Sequence, residues 1–315
     1  LHNTASGTVD TCYSADPTPL TGTGGSLTVH NSSMLSLREL RSSASLLGES
    51  FTEDYFTRNK IFPVLTWENG ALPTTLSEKD GIYPIHTVAE LRLLSYEVRK
   101  GNTFQGKIID LCADLDLGNE PWLSIGGKDE STTYYFCGTF RGKGHVITGL
   151  NATDMDQGYT GLFGCIKDAT IEDLGIEKGI VIGKTRAAAL AAYVHNRSTI
   201  RNCYSKAMVY ANADTGALAG VVAGADVQIK NCYNTGAVFA KKFTSSTGGL
   251  IGYVGNSSHN FTMENCYNVG NFYGLIGKVG TAENAVARNC YSVGSVSLYR
   301  VQGNLDATAS AQIGK

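Results

Sequence analysis

Between residues 158 and 298 the apolar positions recur in blocks, without a continuous helical or strand period. Aligning the small-residue frames "GLFG", "ALAA", "ALAG", "GLIG" and "GLIG" places Leu162, Leu190, Leu218, Leu250 and Leu275 in one column, separated by 28, 28, 32 and 25 residues. Nine to thirteen residues later each block has a second apolar anchor, Ile171, Ile200, Ile229, Met263 or Ala287. Three residues beyond those stand Leu174, Cys203, Cys232, Cys266 and Cys290. A third stretch sets Gly179, Ala207, Gly236, Gly270 and Gly294 two residues ahead of Val181, Val209, Val238, Phe272 and Val296. Each block therefore predicts three short strands separated by turns. The segments are rich in Gly, Val, Tyr and Thr and lack a 3.6-residue apolar stripe, which excludes a helical repeat. A propeller blade needs four strands and about 40 residues. The predicted fold is all-β, a right-handed parallel β-helix with short capping helices.

Four copies of Asn-Cys-Tyr fix the corner of each coil, at intervals of 29, 34 and 24 residues. In "IKNC" the apolar Ile229 and Cys232 are three apart, so an unbroken strand would place them on opposite faces. A corner between them resolves the conflict. Asn tolerates the left-handed conformation, so Asn202, Asn231, Asn265 and Asn289 are expected to turn the chain and to stack their amides in a ladder. The Cys after each corner points inward as a small hydrophobe, and strand spacing predicts free thiols. Tyr204, Tyr233, Tyr267 and Tyr291 then face outward. That stripe is the candidate interaction surface, suited to sugar or protein contact, with side-chain stacking along the solenoid as the plainer reading.

Other segments frame the repeat. Thr87 and Glu90 form a capping-box pattern, Val88, Leu91, Leu94 and Val98 follow at helical spacing, and Gly101 stops the run. A helix near 87–99 is thus expected to cap one end of the solenoid, whose strand edges would otherwise be exposed. Ser36 and Glu39 repeat the device. The expected organisation is a terminal coil and closing module over 1–70, a linker over 71–84 and the β-helix domain over 85–315. Across the chain ends, Ile313 matches the frame Leu, Val9 the second anchor, and Cys12 and Tyr13 the "CY" pair. The domain reads as circularly permuted, closing within one molecule or by head-to-tail self-association.

Composition narrows the function. With 26 basic and 28 acidic residues and a formal net charge of -2, no nucleic-acid partner is expected. No run is long and apolar enough for a membrane span, and "LHNTASG" is no signal peptide, so any export signal or anchor is expected outside this segment. The eight cysteines contain no CxxC pair and follow the repeat, as packing residues do. Asp114 and Asp116 in "ADLDL" could share one strand side as paired carboxylates or a calcium site, against an exposed strand face or turn bond. "GTFRGKGH" lacks the Ser or Thr of a phosphate loop and reads as a tight turn. His145 has no second His nearby. Asp168, Glu172, Asp173, Glu177, Asp214, Asp226, Glu264 and Glu283 recur at no fixed coil position. No catalytic residue, metal or cofactor is expected.

The frames "GLIG" or "GLFG", "NCY" and a following "xxGxV" together resemble the GLUG-motif family of bacterial surface proteins. "HTVAELRLL", "LCADLDL", "PWLSIGG" and "GTFRGKGHVITGL" follow the order in which such domains open, and Phe51, Asp54 and "FPVLTW" resemble the module that closes them. The resemblance implies a parallel β-helix on secreted or wall-attached proteins, among them adhesin-like proteins and non-catalytic regions of some immunoglobulin A proteases. Arg141 and Lys143 stand where that family tends to have Asp and Asn. The expected function is a non-enzymatic surface or secreted module for adhesion, interaction or spacing, with a host glycan or a surface protein as partner and an extracellular or cell-surface location. The alternative is a polysaccharide-degrading β-helix enzyme, or a non-catalytic region of a larger protease.

Overall fold

The computed structural model describes residues 75–129, 132–154, 158–241, 246–270 and 274–293, with short pieces at 7–10, 13–14, 27–30, 33–34, 47, 51–52, 63–65 and 305–308. The chain divides into two units, Leu1–Leu72 and Pro73–Lys315. In the second, the fold is a parallel β-helix. A representative coil runs through Arg186–Ala188, Ala191–His195, Thr199–Arg201, Tyr204–Ser205 and Met208–Ala211. Each segment pairs in parallel with its counterpart in the next coil. Nine such rungs form the longest sheet, from Ile82–Ile85 to Leu305–Thr308. Seven form the sheet from Leu115–Asp116 to Tyr291–Ser292, and five the sheet from Phe163–Lys167 to Ile276–Val279. The hairpin of Gly127–Asp129 and Thr132–Tyr134 is antiparallel.

The repeat columns stack as their spacing requires. Ile171, Ile200, Ile229, Met263 and Ala287 are in register along the nine-strand sheet and all are buried. Phe140 and Ile109 extend this column two coils earlier. The frame leucines stack beside it: the Leu162, Leu190 and Leu250 amides donate to Ala189, Ala217 and Leu275 at 3.0, 3.2 and 3.0 Å. Leu275 is half-buried and the other four are fully buried. Fully burying each such side chain contributes about 1.5–3 kcal/mol, so one continuous core holds coils that could not fold alone.

A coil holds five strand segments rather than the three expected. The added pieces are two or three residues long, such as Asp214–Gly216 and Tyr204–Ser205, too short for alternation to register. The frame glycine explains one of them. A Cβ on Gly252 would lie 2.5 Å from the Thr215 nitrogen and 2.6 Å from the Gly220 carbonyl, so the Asp214–Gly216 segment lies directly against the strand that carries this glycine.

Each corner is as expected. Asn202, Asn231, Asn265 and Asn289 have φ of 54°, 54°, 53° and 50°. Each side-chain amide from Asn231 onward donates to the Asn one coil before, at 3.0, 3.0 and 3.2 Å, and Asn202 donates to Asp173 at 2.8 Å. A second ladder, absent from the sequence reading, joins Asp226, Asn260 and Asn284 at 2.9 and 3.1 Å.

Helix α1 spans Val88–Arg99 with the complete capping box of Thr87 and Glu90. Its Leu91, Leu94 and Val98 pack into the core beside Ile109 and Leu111. Ser95 and Arg99 donate to the Leu123 and Ser124 carbonyls, binding the helix over the first coil. At the end of the stretch expected as a linker over 71–84, Ile82–Ile85 forms the first rung of the nine-strand sheet. Pro84 obscured it, and Pro is tolerated there because this rung is the sheet edge.

In the first unit, Gly7–Asp10 pairs in parallel with Leu27–His30, and Tyr13–Ser14 with Ser33–Met34. Phe51–Thr52 pairs antiparallel with Val64–Leu65. The helix expected at Ser36, the Cys12 position, Phe272, Gly294, Val296, Ile313 and the join of the chain ends lie outside the described residues.

Candidate functional site

The four outward tyrosines form one continuous stack. Each follows its corner Asn and Cys by fixed geometry, and Tyr204, Tyr233, Tyr267 and Tyr291 are in register. Ring centroids are 4.9, 4.9 and 5.1 Å apart with interplanar angles of 3°, 1° and 4°. The faces of Tyr233 and Tyr267 are therefore occupied by neighbouring rings. What they offer outward is ring edges and a row of phenol hydroxyls. At the lower end Gly175 occupies the tyrosine position, and the Tyr204 ring lies so close that a Cβ there would be 2.4 Å from it. The Tyr204 hydroxyl donates to Glu177, which Lys206 also contacts at 2.8 Å. Burial, then the Glu177 contact, raises the Tyr204 phenol, and Lys206, then Tyr204, holds Glu177 below its ordinary value. At the upper end the exposed Val269 and Val293 adjoin Tyr267 and Tyr291.

Beneath the tyrosines the thiols stack inward. All seven cysteines among the described residues are free. Cys203, Cys232, Cys266 and Cys290 are buried and donate to the carbonyls two residues back at 3.2, 3.0, 3.1 and 3.0 Å. The neighbouring Cys232 thiol, with burial, pushes Cys266 up to about 12.

Asp114 and Asp116 do not form a pair. Asp114 accepts from the Val146 amide and approaches His145 Nδ1, both at 3.0 Å. Those contacts, the amide first, hold its carboxyl below the ordinary value. Asp116 instead accepts the Gly118 amide at 2.9 Å, closing a turn. "GTFRGKGH" is a strand and tight turn: Phe140 is in the core, Lys143 has φ of 55°, and the His145 amide donates to Gly142 at 2.9 Å.

Two of the eight acidic residues read as scattered, Glu172 and Glu264, share a position along the nine-strand sheet. Asp110, Arg141, Glu172, Arg201, Lys230, Glu264 and Arg288 share one register position along the nine-strand sheet. Arg141 and Lys143, the two departures from the family pattern, both close on Asp110, Arg141 through two hydrogen bonds and Lys143 at 3.6 Å. Arg201 pairs with Glu172, and Lys230 with Glu264 at 3.5 Å. Sequence spacing obscured the column because coil lengths vary and residues of both signs occupy it.

A second cluster, which the sequence reading missed, joins the three-strand sheet of Tyr159–Thr160, Arg186–Ala188 and Asp214–Gly216 to Tyr193 and His195 of the five-strand sheet. Tyr193, at the position of Cys165 one coil earlier and Val221 one coil later, stacks on Tyr159 at 5.3 Å and 12° and on His195 at 5.6 Å and 25°. Arg186 lies over the Tyr159 and Tyr193 rings at 4.9 and 5.5 Å, and its Nε stands 3.6 Å from Asp214. Tyr135 borders His195 at 6.2 Å. Burial raises the Asp214 carboxyl, lowers His195 and pushes Tyr135 up to about 12. The signal was present in the aligned frame: Arg186 and Asp214 each stand four residues before a frame leucine, and Tyr193 three after one.

Among the described residues no group of three or more His, Cys, Asp or Glu is placed to hold a metal ion. No described helix is long and apolar enough to cross a membrane.

These features define a parallel β-solenoid with side-chain ladders on its outer faces. No family model and no curated protein matches the chain. Among solved structures it is similar to a Bacteroides ovatus protein provisionally described as an immunoglobulin A1 protease, at 19% identity and a TM-score of 0.47, over 78% of this chain and 85% of that one. A likeness at this level carries no inference about activity.

Proposed function

We propose that this chain is a non-enzymatic interaction module of the GLUG-motif kind, working outside the cell or at a bacterial cell surface. The observation that carries the reading is the column of Tyr204, Tyr233, Tyr267 and Tyr291, four amphipathic rings set on a rigid repeat at 4.9–5.1 Å. Such rings suit interfaces, being apolar in body and polar at the tip. Because the inner faces are occupied by neighbouring rings, a partner meets edges and hydroxyls. That geometry favours a protein surface or the rim of a glycan over a stacked pyranose. Acidic side chains that face bases, as Asp110, Glu172 and Glu264 do, support binding over hydrolysis, which needs facing carboxylates.

The test is incubation of the chain with pectin, chitin and host glycans, followed by reducing-end release and binding measurements. The expected result is no depolymerisation, and binding to glycan or surface protein that falls in Tyr233→Ser and Tyr267→Ser while the fold persists. Release of reducing ends overturns the reading.

A further inference from the structure

We infer that the outer face shared by the seven-strand sheet and the sheet beside it docks a protein segment whose apolar side chains are flanked by carboxylates. The sheet beside it is the four-strand one of Leu150–Asp154, Gly179–Gly183, Met208–Ala211 and Val238–Ala240. Burial alternates without a break from Cys203 to Ala211 and from Cys232 to Phe239. Tyr204, Lys206, Met208 and Tyr210 therefore point outward together, as Tyr233, Thr235, Ala237 and Phe239 do one coil later. The tyrosine column is one margin of this broader face. Ile180, Met208, Phe239, Val269, Tyr291 and Val293 are the large apolar side chains left exposed among the described residues, and all six lie on it. Clustered apolar exposure of this kind marks an interaction surface. Ile, Val, Met and Phe offer a sugar hydroxyl no hydrogen bond, whereas they match the apolar centre of a protein interface.

Charge defines the partner's margin. Beyond Gly183, Ala211 and Ala240, which share one register position, come Lys184, Asn212 and Lys241, at the strand ends away from the tyrosines. Lys184 and Lys241 are exposed and form no ion pair among the described residues. Glu177, a carboxylate on the same face, is already held by Lys206 and Tyr204. The free charge there is basic, so a partner with acidic margins is attracted and a basic one repelled. A second copy fits less well: the face measures about 20 Å along the strands and about 19 Å across five coils, near half of the ~800 Å² that each partner of a stable dimer buries, and a copy brings the same basic charge. A bilayer also fits less well, because five of the six apolar side chains are more than half covered and do not project from the sheet. The inference rests on the interaction reading above and narrows its partner.

The experiment is proton–carbon NMR of the full chain labelled at its methionine methyls, with Met208 reporting on the face and the buried Met263 as internal control. The probes are a synthetic peptide of alternating Val and Glu, its Val and Lys counterpart, mannotriose, and phosphatidylglycerol vesicles. Met208 should shift with the Val and Glu peptide while Met263 does not, and the affinity should fall about tenfold in Phe239→Ser and in the double variant Lys184→Glu, Lys241→Glu. Both lysines are exposed, so the double variant remains as the test if circular dichroism shows that Phe239→Ser does not fold. No shift with the Val and Glu peptide, an equal shift with the Val and Lys peptide, or a shift with vesicles alone overturns the inference. A Met208 shift on raising the concentration of the chain by itself assigns the face to a second copy and overturns it too. A shift with mannotriose alone overturns it and leaves the interaction reading standing, whereas reducing-end release overturns that reading itself.

Discussion

A single asparagine carries two tasks at each corner, and they separate by substitution. Asn231 adopts φ of 54° and takes part in two ladder hydrogen bonds, one to Asn202 and one from Asn265. Asn231→Ala should cost about 2–3 kcal/mol, from a left-handed residue at about 1–2 kcal/mol and lost amide bonds at about 1 kcal/mol. Asn231→Gly should recover the backbone part alone. Urea unfolding midpoints of the two variants check the division. Both ladders begin at an aspartate, Asp173 or Asp226. A carboxylate only accepts, so it terminates a chain of donors that all point toward the first coil. The inward thiols give a second expectation at this scale. Cys203, Cys232, Cys266 and Cys290 are buried and the neighbouring Cys232 thiol, with burial, pushes Cys266 up to about 12, so a thiol reagent at neutral pH should label none of these four before unfolding. Mass spectrometry of labelled native chain checks this.

At the scale of elements, the turns are held by side chains that titrate. Asp114 accepts the Val146 amide and faces His145, which lowers its folded pKa from the ordinary 3.8. A depressed carboxyl contributes stability above its unfolded pKa and loses it as pH falls through the folded value. Asp114→Asn should therefore lower the urea midpoint at neutral pH, and its difference from the parent chain should shrink as the pH drops below 3.8. A difference constant with pH would mean that the carboxyl acts by shape alone. Helix α1 belongs to the same scale, since its capping box was readable in four residues, Thr87 to Glu90, while its role of covering the first coil depends on Ser95 and Arg99 reaching carbonyls 28 and 25 residues on.

For the whole molecule, the repeat makes coils interchangeable. Deleting Tyr204 to Cys232 removes 29 residues, one full period, and joins Cys203 to Tyr233. Every inward column is then resealed, with Leu190 followed by Leu250 and Ile200 by Met263. The deletion also removes Lys230, leaving Glu172, Arg201, Glu264 and Arg288 in strict alternation. Because solenoid stability is close to a sum over repeats and their interfaces, the shortened chain should keep its β circular-dichroism signature and unfold in one transition at a lower denaturant midpoint. Loss of folded structure would show that this coil is not equivalent to its neighbours.

The sequence by itself determined what repeats locally: the Leu and Ile columns, the Asn corner, the inward Cys and outward Tyr, and the capping box of α1. Each follows from spacing within about a dozen residues, and the identical demand in every coil makes the signal add up. Only the tertiary structure decided which residues from different coils meet. The charge column of Asp110 to Arg288 and the cluster of Tyr159, Arg186, Tyr193 and Asp214 depend on register between strands 24–34 residues apart, and variable loops remove any fixed period in sequence. The stacked state of the tyrosines belongs there too. Outwardness follows from alternation, but the closed faces follow from parallel in-register pairing, which places like over like at the spacing of one strand.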